Sequence, residues 1–391
     1  MIHRRTTAVA VALLGALATA ACSGGARSEE PAAGLSTTSA STSSPGPARA
    51  KDGTTYPGET WQHADPAKLG FDPRAMKGIA RQAKATGTTC LLVARKGKVV
   101  GEWNWQDVTA DTPREVFSMT KSVTSTLVGM AQADGDLDID QKAKRYVEEW
   151  RGTKSRTVTI RDILSNDSGR FWDPAVDYGQ LPQARDRTQF AIDLKQQYPP
   201  GAVWAYNNAA IQTLDRVISR ATGTTTLEYA AERLFAPIGM AHTRMTSDPA
   251  GNTNTFFGVQ TTCEDMARFG YLFLRQGRWL DDRIVPKSWV RAAVARPSQQ
   301  HNAAYGFLWW LNRRGPIIGP LTSDAPGQPE PPVGQAIPGA PANVFTAQGL
   351  GGQVVLVDPG SQTVVVRIGQ LGGSYSARDT ARFVTEALVR P

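Results

Sequence analysis

Apolar positions recur along the chain in two rhythms. In DPRAMKGIARQAKATG, residues 72–87, Met76, Ile79, Ala80 and Ala83 repeat at helical spacing and Gly87 is a natural stop. In TTCLLVARKGKVVGEWNW, residues 88–105, two runs rich in Val and Leu (89–95 and 98–103) flank Lys96-Gly97 and predict a hairpin. The next segment, VFSMTKSVTSTLVGM at 116–130, opens like a buried strand and continues like a helix to Ala133, with Asp134-Gly135 as its end signal. It is apolar enough for a core, yet it carries Ser118, Thr120, Lys121, Ser122, Thr124 and Ser125. From there to about Arg296 the pattern is mostly helical, as in TIRDILSND, NNAAIQTLDRVISRATG, TLEYAAERLFAPIGM, CEDMARFGYLFLRQG and PKSWVRAAVA.

Strand rhythm returns at 305–312 (YGFLWWLN), 344–348, 353–359 and 363–369, and a last helix is predicted over about 376–389. Strands from both ends with helices between them predict one mixed α/β (α+β) domain. Its hairpin-linked strands form an antiparallel sheet flanked by helices, and a helical lobe, about 135–300, is inserted. Residues 315–341 are almost half Pro and Gly, a stretch that is either disordered or part of a binding rim.

The first 55 residues follow neither rhythm. Arg4 and Arg5 precede the apolar run AVAVALLGALATAA, residues 8–21, which is short for a membrane span and the right length for a secretory signal. The run ends at Cys22, and ALATAAC resembles a bacterial lipobox, with Thr19 where Leu is usual. Residues 1–22 are therefore expected to be a leader of lipoprotein type, giving an exported protein held to the membrane through Cys22. The alternative is plain cleavage after Ala20, with Cys22 incidental and the protein secreted. Residues 23–55 are rich in Ser, Thr, Ala, Gly and Pro without apolar periodicity, which predicts a flexible tether before a folded domain at 56–391. Cys90 and Cys263 remain; in an oxidising compartment they could pair, and two separate buried thiols fit the sequence as well.

Composition narrows the chemistry mainly by exclusion. The net charge of +8 comes without any Lys/Arg run of five or more, so nucleic acid is not an expected partner. His3, His63, His242 and His301 show no metal-ligand spacing, no G-x-S-x-G elbow occurs, and neither metal nor cofactor is expected. One S-x-x-K is present, Ser118-Met119-Thr120-Lys121, where 21 serines and 12 lysines give about 0.6 by chance. On a helix, i and i+3 share a face. A helix starting near Ser118 puts the Lys121 amine beside the hydroxyl, where the helix dipole and apolar surroundings both favour the uncharged amine. One Y-x-N follows, Tyr206-Asn207-Asn208, against about 0.2 by chance. Its phenol could carry protons between a serine and a leaving group if nearby cations lowered its pKa.

Together these segments resemble the serine β-lactamase and penicillin-binding-protein superfamily, specifically its class C β-lactamase-like esterase and peptidase branch, over about residues 70–388. FSMTKSVTSTLVGMAQADGDLDID is similar to the family's nucleophile helix. TIRDILSNDSG is similar to its L-L-x-H-x-S-G element, with Asn166 where histidine is frequent. PGAVWAYNNAAIQTL is similar to its Y-x-N region, and YGFLWW to its Y-G-x-G-W strand. Within the branch the chain is most similar to the nylon-oligomer (6-aminohexanoate) hydrolase and esterase group.

The resemblance implies a β-lactamase/transpeptidase-like fold and a serine hydrolase acting on a small-molecule ester or amide. Ser118 would be the nucleophile, Lys121 and Tyr206 the coupled base, and the N–H groups of Ser118 and Leu350 an oxyanion hole. Asn208, Gln348 and Gly349 would contact substrate, and Trp172 and Tyr178 would stand at the rim. Where β-lactamases and penicillin-binding proteins carry K-T-G, this chain has Ala347-Gln348-Gly349. That removes the usual partner of a substrate carboxylate and weighs against a D,D-peptidase or β-lactamase, the main alternative. A non-catalytic envelope binding module is the other.

Overall fold

A computed structural model describes residues 48–389. The expected leader, Cys22 and most of the tether lie outside the described residues. Regular pairing starts just ahead of Tyr56, where Ala48–Arg49 runs antiparallel to Thr55–Tyr56.

A six-stranded sheet carries the molecule. Its strands are β1 (Thr88–Arg95), β2 (Lys98–Asn104), β3 (Trp310–Leu311), β4 (Phe345–Gly349), β5 (Gln353–Asp358) and β6 (Thr363–Gly369), in the spatial order β2-β1-β6-β5-β4-β3. All neighbours are antiparallel. The predicted hairpin forms with Arg95 opposite Lys98. Lys96 and Gly97 both take positive φ, 51° and 78°, as a tight turn between right-twisted strands requires. Gly97 is needed a second time, because a Cβ there would stand 2.2 Å from the Thr55 carbonyl oxygen.

Alternating side chains divide the sheet between two cores. Leu91, Val93, Val354, Leu356 and Val365 pack with Met76, Ile79, Ala80 and Ala83 of α1 (Pro73–Ala85) and with Phe383 of a C-terminal helix. Leu92, Ala94, Val355, Val357, Val364 and Val366 pack on the other side with Val123, Leu127 and Val128 of α2 (Thr120–Asp134) and Met266 and Phe269 of α3 (Cys263–Leu274). Burial on both faces is why QVVLVD and TVVVRIG read as continuous apolar runs although the sheet is antiparallel. Cys90 of β1 and Cys263 at the start of α3 are joined by a disulfide, Cα to Cα 6.2 Å, which settles the pairing the sequence left open. The C-terminal helix, α4 (Ala377–Thr385), is shorter than 376–389.

One expectation changes and one open alternative is decided. The strand predicted over 305–312 survives only as Trp310–Leu311. Before it, Leu308 takes φ 58° and the Gly306 N–H bonds the Trp309 carbonyl at 2.9 Å, so the aromatic run coils into the core instead of pairing. The Pro/Gly-rich segment 315–341 forms a two-residue pairing, Gly315–Pro316 with Val333–Gly334, and is a rim and not a disordered loop.

Candidate active site

Most hydroxyls of α2 have partners, and Ser125 Oγ is the exception. Ser122 Oγ donates to the Leu308 carbonyl, Thr124 Oγ1 to that of Thr255 and Thr126 Oγ1 to that of Ser122, each at 2.8 Å. Thr120 Oγ1 accepts the Val259 N–H at 3.1 Å. The bonds of Thr120, Ser122 and Thr124 fasten a helix buried from Thr120 to Ala131 to the loops around it, while that of Thr126 stays within the helix.

Ser118 stands just ahead of α2, on a single 3₁₀ turn, Phe117–Met119. Phe117 has φ 49°, a left-handed conformation that costs about 1–3 kcal/mol for such a residue. Glu115 holds that turn: its Oε1 accepts the Phe117 N–H at 2.7 Å and the Gly258 N–H at 2.9 Å, and its Oε2 accepts from Gln260 Nε2 at 2.7 Å.

Lys121 is 1% exposed, and its Nζ lies 2.7 Å from Ser118 Oγ and 2.9 Å from the Phe256 carbonyl. No carboxylate lies within ion-pair distance of it among the described residues, and the ring of Tyr206 covers it at 4.7 Å to the centroid. Burial brings its pKa from 10.5 down to about 7, opposed only by the negative charge of Asp177. At neutral pH much of the amine is uncharged. In that form it can donate to Phe256 and accept the Ser118 proton.

Tyr206, also buried, hydrogen-bonds Ser118 as well. Its ring is stacked on Trp310 and meets Tyr305 edge-on, at 5.6 and 5.9 Å between centroids. The expectation of a phenol acidified by cations is not met. Burial raises the Tyr206 pKa well above its ordinary value, with the Ser118 bond the only opposing effect, so the phenol rests protonated.

Asp177 was not found from the sequence. It accepts the N–H groups of Asn208 (2.7 Å) and Ala209 (3.0 Å), and burial lifts its carboxyl to about 7. It thus fixes the segment that follows Tyr206. Asn166, in the place where histidine is frequent, accepts the Asn207 N–H at 3.2 Å and supports the same segment.

Gly349, at the end of β4, passes so close to the turn that carries Ser118 that a Cβ there would lie 2.2 Å from the Val116 carbonyl. The turn beyond it is pinned by two buried side chains. Gln353 Nε2 donates to the Leu350 carbonyl at 3.2 Å, and Arg367 Nη1 donates to that of Gly351 at 2.7 Å.

A cavity of about 580 Å³ opens over these groups, within the range of small-molecule sites. Ser118, Tyr206, Tyr178, Gln348, Gly349 and Leu350 line it, so six of the residues singled out from the sequence converge there. Asn208 hydrogen-bonds Tyr178, and its Oδ1 has no partner. Trp172 does not line this cavity: its indole N–H donates to the Tyr206 carbonyl at 3.0 Å, and it lines a separate space of about 240 Å³ behind that residue. Ala347 is buried in the core at 1% exposure, so no cation stands where the K-T-G lysine would. Among the described residues no His, Cys, Asp or Glu cluster could hold a metal ion, and no helix is long and apolar enough to cross a membrane.

The family model described as Beta-lactamase matches residues 74–389. The 6-aminohexanoate-dimer hydrolase of Paenarthrobacter ureafaciens is 24% identical over 271 residues, covering 62% of this chain and 69% of that protein. The D-aminopeptidase of Brucella anthropi is 26% identical over 199 residues, covering 46% of this chain and 37% of that protein. A solved structure of a penicillin-binding protein homolog from Caulobacter crescentus superposes with a TM-score of 0.59 at 17% identity, over 80% of this chain and 96% of that one. The helix-flanked antiparallel sheet is thus the family's fold, and the chain belongs to the beta-lactamase family and is a serine hydrolase.

Proposed function

We propose that the protein is an exported serine hydrolase that cleaves an ester or amide through an acyl-enzyme on Ser118. The observation that carries this reading is the buried Lys121 amine 2.7 Å from the Ser118 hydroxyl, with a pKa brought to about 7. The uncharged amine takes the Ser118 proton as Oγ bonds to the substrate carbonyl carbon. The oxygen that becomes negative is held by the N–H groups of Ser118 and Leu350. Tyr206, protonated at rest, passes its proton to the leaving oxygen or nitrogen and is reprotonated from Lys121. Water, activated by the same pair, then releases the acid and restores Ser118. The name of the second relative, an aminopeptidase, supports an amide.

Export, with a lipid anchor at Cys22, rests on the leader-like N-terminus. The Cys90–Cys263 disulfide supports it, since such bonds persist in oxidising compartments. A D,D-peptidase or β-lactamase is the second reading, favoured by the family and disfavoured by Ala347. Intact Ser118, Lys121, Tyr206 and Asn208 weigh against a non-catalytic module.

The test is covalent labelling. Wild-type protein should be labelled by a fluorophosphonate probe, and Ser118→Ala should not; equal labelling of the two refutes the assignment. Capture of a fluorescent penicillin by Ser118 would move the reading to the second.

A further inference from the structure

The contact between Ser118 and Lys121 is held from two distant stretches of chain. Ser118 rides on the turn Phe117–Met119, in which Phe117 is left-handed. The Lys121 amine makes its other bond, at 2.9 Å, to the Phe256 carbonyl, in a loop 135 residues away. One side chain bonds to both stretches. Glu115 Oε1 accepts the N–H of Phe117 at 2.7 Å and that of Gly258, just past Phe256, at 2.9 Å. Its Oε2 takes the Gln260 amide at 2.7 Å, directly across the short antiparallel pairing of Arg114–Glu115 with Gln260–Thr261. Glu115 is half-buried, and no cation pairs with it among the described residues; its partners are these three N–H groups. Other bonds to the loop fall on either side of the turn: the Val116 N–H meets the Val259 carbonyl at 3.1 Å, Thr120 Oγ1 accepts the Val259 N–H, and Thr124 donates to Thr255. Among the described residues Glu115 alone ties Phe117 itself to the loop.

We propose that Glu115 is the positioning residue of this pair: by spanning Phe117 and Gly258 with one oxygen, it sets the separation of Ser118 Oγ from Lys121 Nζ. This rests on the hydrolase reading and adds to it a residue that touches neither substrate nor the reacting atoms. Proton transfer needs the hydroxyl and the amine within hydrogen-bond reach, and a misplacement of about 1 Å costs about 100-fold in rate. The bridge requires reach and an oxygen acceptor; it does not require negative charge. Glutamine at 115 keeps both, since its oxygen can still accept from Phe117 and Gly258 while its NH2 faces the Gln260 amide, which turns over to present its own oxygen. Aspartate keeps the charge but is one methylene shorter, so it holds one stretch and releases the other.

The test compares Glu115→Gln with Glu115→Asp. For each, kcat and KM are measured on p-nitrophenyl butyrate, the rate of Ser118 labelling is measured with a fluorophosphonate, and urea midpoints are recorded to correct for unfolded protein. Glu115→Gln should stay within about threefold of wild type in kcat and in labelling rate, and Glu115→Asp should fall about 30-fold or more in both with KM little changed. A Glu115→Gln variant down about tenfold or more in kcat shows that charge matters and the bridge does not, and overturns the proposal. So does a Glu115→Asp variant within about threefold of wild type in kcat, even if its urea midpoint drops, because the role is then structural only. Both outcomes leave the hydrolase reading intact. Wild-type protein that neither hydrolyses the ester nor takes the label ends that reading and the proposal together.

Discussion

Replacing Lys121 by Met should separate stability from catalysis. Burial brings the amine from 10.5 to about 7, and at about 1.4 kcal/mol per pH unit this disfavours the ammonium form in the folded protein by about 5 kcal/mol. A depressed cation means that the unfolded chain binds more protons between pH 7 and 10.5. The penalty is therefore full below pH 7 and fades as pH rises toward 10.5. Methionine fills nearly the same space without the charge. It forfeits the bonds to Ser118 Oγ and the Phe256 carbonyl, each worth about 1 kcal/mol. The balance is a variant more stable than wild type by about 3 kcal/mol at pH 6. By pH 10.5 the sign reverses, to about 1–2 kcal/mol less stable, because the penalty has gone and the lost bonds remain. Asp177, raised to about 7, is mostly protonated at pH 6 and so is not left as a bare charge there. The assay is urea unfolding at the two pH values beside hydrolysis of a p-nitrophenyl ester. Wild-type hydrolysis should climb through pH 7 as Lys121 loses its proton, and the Met variant should be inactive throughout. A Met variant less stable than wild type at pH 6, or one that keeps its activity, would refute the reasoning.

Two further substitutions probe the frame around the site. Gly349→Ala places a methyl 2.2 Å from the Val116 carbonyl, so β4 must back away from the turn that carries Ser118. Stability should drop by about 1–3 kcal/mol and kcat/KM by at least about tenfold, and wild-type activity in this variant would show that the close approach is unnecessary. The Cys90–Cys263 bond closes a span of 173 residues, for which chain entropy gives about 5 kcal/mol as an upper figure. The double Cys→Ser variant should lose about 2–5 kcal/mol in denaturant melts, and an unchanged midpoint would contradict it.

The sequence showed most where chemistry and periodicity coincide. Met76, Ile79, Ala80 and Ala83 are all buried on the sheet, as their spacing required, and Lys96-Gly97 turns the hairpin. Ser118 and Lys121 could be paired because a helix fixes i and i+3 on one face, and the structure brings Tyr206 to them across 85 residues. What stayed hidden depends on contacts distant in sequence. Asp177 reads as one more acid in a polar stretch; its role arises because the backbone of Asn208 comes to it. The cysteines could not be paired without knowing that α3 lies against β1. YGFLWWLN has strand composition, but Gly306 and Leu308 take it into a tight coil that places Tyr305 and Trp310 against Tyr206. The state of the phenol depends on its burial and on the lack of a cation to offset it, neither of which the sequence shows.

The sheet's strand order has a bearing on biosynthesis. Leu92 of β1 lies opposite Val366 of β6, and β4, the strand beside the Ser118 turn, comes more than 200 residues after Ser118. At a translation rate of roughly 5–20 residues per second, a nascent chain carries its serine for roughly 10–50 s before that strand leaves the ribosome. Joining such distant segments is also slow in itself, since the closure entropy of the intervening chain must be met before the ladder rewards it. Ser118 is therefore synthesised long before the strand that walls its cavity, and the site is complete only once the C-terminal strands have joined the sheet.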